Sequence, residues 1–140
     1  MSKPRRSSGS WRERQERDPF VQRARREGWR SRAVFKLEEI DRREQLLRPG
    51  MVCVDLGAAP GGWSQYATKK LDGRGRIIAT DLLPMDALPD VEFVQGDFRE
   101  DEVFERLLEA VGESGADLVM SDMAPNITGT KVVDQPRSMY

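Results

Sequence analysis

Apolar positions recur along this chain with two different periods. Val103, Phe104, Leu107, Leu108 and Val111 fall at i, i+1, i+4, i+5 and i+8, an amphipathic helix that Gly112 stops. Met51 to Leu56 is instead a short apolar run bounded by turn residues, the mark of a strand buried on both faces. The turn over 72–75 leads to a second strand, Arg76–Thr80, ending at Asp81, and Val91–Gln95 is a third, ending before Gly96-Asp97. Asp117–Ser121 is a fourth, running into Asp122. A Gly/Ala/Pro loop from Gly57 to Gly62 and a helix from about Trp63 to Lys70 follow the first strand. Upstream, Asp18-Pro19 predicts a capped helix over 19–27, closed by Gly28. Ser31 predicts the cap of a second helix, with Ala33, Val34, Leu37 and Ile40 as its apolar stripe and Lys36 on the rim. Strands alternating with helices imply βαβ units and a parallel sheet, an α/β fold that binds ligands beyond the carboxyl ends of its strands.

Composition narrows the chemistry. The 140 residues suit one domain, and 38% hydrophobic with 34% charged residues is a soluble, globular balance. No apolar run approaches the roughly 20 residues that span a bilayer, and no signal peptide opens the chain. One cysteine forbids an intramolecular disulfide, and its place in the first strand marks Cys53 as packing. With no histidine, Ser-His-Asp hydrolysis and histidine-based nuclease chemistry are excluded and no metal site is expected. A reducing cytoplasm is the expected location. The net charge of −1 conceals an asymmetry: residues 1–32 carry 11 Lys/Arg against 4 Asp/Glu, so the rest of the chain is acidic. A basic arm on an acidic body predicts that a polyanion is gripped by the arm, with Trp11 and Trp29 interleaved among the arginines.

Each strand ends at or near an acidic residue: Asp55, Asp81, Asp97 and Asp122. One is ordinary turn chemistry, whereas four on one edge form a ligand rim. The loop after the first strand departs from the G-x-G-x-x-G dinucleotide fingerprint, and Asp55 beside it would repel a diphosphate. A ligand with an ammonium group and no phosphate fits better, and S-adenosylmethionine is one. Gly61 and Gly62 would let the backbone approach it, with Asp55, Gly57 and Pro60 as further loop candidates. Trp63 is either a pocket wall or a core plug. Asp81, 20 residues after Gly61, stands where an acid takes ribose hydroxyls, and Asp97 could accept from an adenine amino group with Gly96 giving room. Read singly, these acids are also adequate loop caps, and Lys36 an adequate solvated lysine.

Taken together, five blocks carry a resemblance: residues 28–37 (GWRSRAVFKL), 54–65 (VDLGAAPGGWSQ), 81–85 (DLLPM), 95–98 (QGDF) and 120–126 (MSDMAPN). In order and spacing they resemble the FtsJ/RrmJ family of ribosomal RNA uridine 2′-O-methyltransferases. The resemblance implies a Rossmann-like methyltransferase sheet of which this chain holds the N-terminal portion, about four parallel strands with flanking helices. It implies a flexible basic arm over 1–18, RNA-facing helices over 19–47 and methyltransferase sequence over 48–140. It implies S-adenosylmethionine as donor, and as acceptor a uridine in the A loop of 23S rRNA within the large (50S) ribosomal subunit. A monomer is expected, with no membrane or metal partner. Position by position, Gly61, Trp63, Asp81, Asp97 and Asp122 match the family's cofactor contacts, and Arg30 and Arg32 match its RNA-facing region. Lys36 and Asp122 match half of its Lys-Asp-Lys-Glu catalytic set. The second lysine, which is the proton acceptor, and the glutamate match nothing here, which predicts a truncated chain. The alternative is a non-catalytic RNA- or cofactor-binding module.

Overall fold

A computed structural model describes residues 13–14 and 17–122. Most of the basic arm, and the stretch from Met123 that includes Pro125-Asn126, lie outside the described residues.

Among the described residues from Pro19 on, eight elements follow one another: α1 (Pro19–Glu27), α2 (Val34–Glu44), β1 (Val52–Leu56), α3 (Gly62–Leu71), β2 (Arg76–Asp81), β3 (Val91–Gln95), α4 (Asp101–Val111) and β4 (Leu118–Ser121). The strands form one parallel sheet in the order β3-β2-β1-β4. β1 pairs Val52 with Arg76 through Leu56 with Thr80 on one side, and Cys53 with Leu118 through Leu56 with Ser121 on the other. The chain thus builds outward from β1 to β3, then returns to the far side of β1. That reversal opens a crevice at the carboxyl ends, where α/β sheets take ligands.

Alternation along the strands explains why they read as continuous apolar runs. Cys53, Ile77, Leu118 and Met120 pack with Val34, Leu37, Trp63, Tyr66 and Leu71 on one face. Val54, Leu56, Ile78 and Val94 pack with Val103, Leu107 and Val111 of α4 on the other. Cys53 is fully buried, and burial pushes its thiol up to about 12, so it is an inert packing group.

The local signals at the N-terminus hold with one correction. Asp18 caps α1, its Oδ1 accepting from Phe20 N at 2.7 Å and Val21 N at 3.3 Å, and Gly28 closes the helix at φ +82°. Ser31 does not cap α2. Its Oγ accepts from Ala33 N at 2.9 Å, and Val34 N, Phe35 N and Lys36 N donate to carbonyls three residues back, so a tight turn precedes the helix proper. α1 docks on α2 through Phe20 against Phe35 (centroids 6.0 Å apart) and the Arg23 guanidinium 4.1 Å over the Phe35 ring. A second correction concerns α4. Only Val103, Leu107 and Val111 face the sheet; Phe104 and Leu108 are 37% and 52% exposed, because the adjacent stripe turns about 100° away.

Asp41 is a buried polar group that the apolar periodicity does not announce. It lies on the same stripe as Val34 and Leu37, at i, i+3 and i+7, and is 3% exposed. Its oxygens accept from Leu47 N at 2.9 Å and from the Tyr66 hydroxyl at 3.0 Å, with Lys70 Nζ at 3.6 Å. Burial, then the Asp41 charge, raises the Tyr66 hydroxyl above its usual range. Asp41→Ala is therefore expected to destabilise the protein by about 2–4 kcal/mol in urea unfolding, because two buried donors lose their acceptor. Lys70→Ala, at the exposed end of the network, should cost under about 1 kcal/mol. Equal losses would show that the ion pair, not the buried hydrogen bonds, carries the effect.

Candidate functional site

The four aspartates converge on the carboxyl edge of the sheet, but each is held differently. Asp55 points from β1 toward α3, 1% exposed, and accepts from Ser64 Oγ at 2.7 Å. Burial pushes its carboxyl up to about 7; the Ser64 hydrogen bond opposes this, and the Asp122 and Asp81 charges add to it. A carboxyl that binds its proton more tightly folded than unfolded loses stability as pH rises between the two values. Urea midpoints should therefore fall as pH rises from about 4 toward 7, and Asp55→Asn should flatten that slope. An unchanged slope in the variant would assign the dependence elsewhere.

Asp81 ends β2 and anchors two loops. Its Oδ2 accepts from Ala59 N at 2.8 Å and its Oδ1 from Leu83 N at 2.9 Å. A carboxylate offers about four lone-pair sites, so each oxygen retains capacity for a hydroxyl. Asp97, beyond β3, is gripped by Arg99, whose Nε and Nη2 donate at 2.9 and 2.8 Å and whose backbone N donates at 2.9 Å. Those hydrogen bonds hold its carboxyl down at about 2, firmly ionised. Between these two acids lies a cleft of about 280 Å³ bounded by Gly57, Asp81, Leu82, Gly96, Asp97 and Phe98. A smaller cavity of about 40 Å³ is lined by Asp55, Gly57, Pro60, Gly62, Trp63 and Asp122. Gly57 lines both, so the two spaces adjoin along the loop after β1.

At the other end of this edge, Lys36 Nζ lies 3.9 Å from Asp122 Oδ1. Partial burial raises the Asp122 carboxyl and Lys36 opposes the rise. Both side chains remain accessible, at 51% and 39%. The pair joins α2 to the end of β4, two elements far apart in sequence. Trp63 is both a core plug and a pocket wall: it is buried in the core, donates from Nε1 to Ala33 O at 2.8 Å, and lines the smaller cavity.

The glycines serve neighbours that the sequence did not reveal. A Cβ on Gly96 would meet Val103 Cγ2 at 2.7 Å, so this glycine lets α4 close on the sheet as well as bordering the cleft. A Cβ on Gly61 would meet Arg30 Nη1 at 2.8 Å and Met85 Sδ at 3.1 Å, and one on Gly62 would meet Ser31 Cβ at 3.3 Å. Arg30, Ser31 and Met85 pack against these two glycines. Arg30 and Arg32 also have intramolecular partners: Arg32 pairs with Asp18 and sits over Phe20, and Arg30 donates to three backbone carbonyls. Among the described residues no group of His, Cys, Asp or Glu could hold a metal ion, and no helix is long and apolar enough to cross a membrane.

A family model of FtsJ-like methyltransferases matches residues 29–140, a span that holds the whole of this edge. The chain belongs to the FtsJ-like methyltransferase family. Ribosomal RNA large subunit methyltransferase E of Pseudomonas paraeruginosa is 60% identical over 123 residues, covering 88% of this chain and 59% of that protein. The protein of the same name from Legionella pneumophila is 55% identical over 134 residues, covering 96% of this chain and 65% of its own length. The chain thus spans roughly three-fifths of the length of these curated relatives. A crystal structure of a protein described as a ribosomal RNA methyltransferase, from Plasmodium falciparum, superposes with a TM-score of 0.64 at 31% identity, covering 79% of this chain and 65% of that one. The family is named for methyl transfer, a reaction that requires a methyl donor.

Proposed function

We propose that this protein methylates the ribose 2′-oxygen of a uridine in 23S rRNA, within the A loop of the large ribosomal subunit, using S-adenosylmethionine. The observation that carries the reading is the Lys36–Asp122 pair, set on the same sheet edge as the Asp81–Asp97 cleft in a chain of this family. The cleft suits an adenosine: Asp81 keeps acceptor capacity for two hydroxyls, Asp97 is an ionised acceptor for an amino group, and Leu82 and Phe98 offer apolar surface. Asp55, Gly57, Pro60, Gly62 and Trp63 line the wall that would hold the methionine end, beside Asp122, with Gly61 in the same loop. When bound, S-adenosylmethionine supplies a methyl group activated by its sulfonium.

The remaining work falls to this chain's own residues. In-line displacement needs a 2′-hydroxyl aimed at the methyl group and relieved of its proton as the new bond forms. Half-exposed at the rim, Lys36 Nζ lies 3.9 Å from Asp122 Oδ1 and is open to an incoming hydroxyl. Its part is to hydrogen-bond and orient the hydroxyl, with Asp122 fixing its Nζ. The family's proton acceptor, a second lysine, matches no position in this chain, so here the proton passes to water.

Undermethylated large subunits incubated with the protein and methyl-labelled S-adenosylmethionine test the reading. Label on a single ribose 2′-oxygen of 23S rRNA is the expected result. Label on a base or on ribosomal protein would refute it, and cofactor binding without turnover would favour the non-catalytic module. Action on assembled subunits places the work in the cytoplasm.

A further inference from the structure

Arg30 spends its guanidinium on the protein itself. Nη1 donates to Pro60 O at 3.0 Å and to Asp86 O at 2.8 Å, and Nη2 donates to Ala87 O at 2.9 Å. Pro60 belongs to the loop after β1, and Asp86 and Ala87 to the segment that leaves β2. Neither stretch has a helix or strand partner for these carbonyls, so one side chain supplies donors to both. The backbone of Arg30 is fixed as well. Its N–H donates to Gln65 Oε1 at 2.8 Å, while Gln65 Nε2 donates to Gly28 O at 2.9 Å. One glutamine of α3 therefore seats the 28–30 segment and aims the arginine across the start of its own helix. Gly61 completes the seat, because a Cβ there would lie 2.8 Å from Nη1.

We infer that Arg30 is a positioning residue of the cofactor edge: its guanidinium ties the 57–62 loop to the 82–90 segment and fixes their spacing, and it does not serve as an RNA phosphate contact. The inference rests on the reading of the adjoining cleft as the S-adenosylmethionine site. Both tied stretches border that cleft, through Gly57 on one and Leu82 on the other. Asp81 holds the same two stretches by accepting from Ala59 N and Leu83 N, so the acid binds their N–H groups and the arginine their carbonyls. A planar fork reaches carbonyls in two directions; a compact ammonium on a flexible stem does not hold that geometry.

Arg30→Lys keeps the charge and removes the fork, which separates the two roles. Amide hydrogen exchange in the absence of any ligand should quicken about tenfold in residues 58–62 and 83–90 of the variant, with α4 and the sheet unchanged. The Kd for S-adenosylmethionine, titrated without RNA, should rise about tenfold, and its KM likewise, with kcat and the salt dependence of ribosome binding held. Arg30→Gln stands in should the lysine variant fail to fold. Unchanged exchange in 83–90 would overturn the inference. So would unchanged cofactor affinity with weaker ribosome binding in Arg30→Gln, which would make the arginine an RNA contact. Quickened exchange in a protein whose wild type binds no S-adenosylmethionine would leave the tie standing and overturn only the cofactor reading.

Discussion

Lys36→Met is expected to lower the turnover number for methyl transfer by about 10²- to 10⁴-fold while leaving cofactor affinity within about twofold. Methionine matches the length of the lysine stem, and a half-exposed position on α2 tolerates the exchange within about 0.5 kcal/mol, so the loss would not come from unfolding. What disappears is the Nζ that stands 3.9 Å from Asp122 Oδ1. The hydroxyl then loses its orienting donor, and misplacement at the reacting centre is costly out of proportion to the single hydrogen bond removed. A second consequence follows from the charge. Burial raises the Asp122 carboxyl and Lys36 holds it down, so removing the cation lets it rise further. The acid limb of the pH–rate profile should accordingly move to higher pH in Lys36→Met and stay in place in Lys36→Arg. Single-turnover rates measured with saturating cofactor and large subunits decide it. A variant retaining more than about a third of the wild-type rate would remove Lys36 from the catalytic machinery.

The sheet was legible because parallel strands buried on both faces leave short apolar runs, and β1 and β2 lie within a residue of where those runs place them. At the edge, β3 alternates instead, with Glu92 and Gln95 exposed. The convergence of the four acids followed from the same rule, since strand ends share an edge. Less local facts were illegible. Glycine at 61 and 96 announces that something comes close, but the neighbour, Arg30 or Val103, is set by tertiary packing. Ser31 carries a true hydrogen-bonding signal that sequence does not resolve, because a serine capping a turn and one capping a helix look alike there. Asp41 could have been found. An acid at i+7 from Val34 and i+4 from Leu37 sits on the buried stripe and requires partners. The rim spacing presents the aspartates as acceptors for a ligand, whereas Asp81 and Asp97 also hold their own loops together, which no spacing rule discloses.

That double duty shapes the second large effect, a contrast between the arm and the rim. Asp81→Ala is expected to weaken S-adenosylmethionine binding by about 10²-fold, because it removes the proposed ribose acceptor and frees both Ala59 N and Leu83 N. Asp81→Asn should fare no better. Its amide has one accepting oxygen, so whichever way it turns, the NH₂ group faces a backbone N–H donor. Removing residues 1–17 takes away six Lys/Arg against two Asp/Glu and spares Asp18, the cap of α1. A longer deletion would strip α1 from its packing against Phe35 and confuse fold with charge. The trimmed protein should bind cofactor normally and large subunits more weakly, its log K against log salt shallower by roughly 0.7–0.9 for each phosphate that the arm neutralises. The Asp81 variants should keep the wild-type salt slope. Calorimetry for the cofactor and subunit binding at several salt concentrations separate the two. If trimming weakened cofactor binding as much as Asp81→Ala does, the arm would belong to the folded body and the division between basic arm and acidic rim would fail.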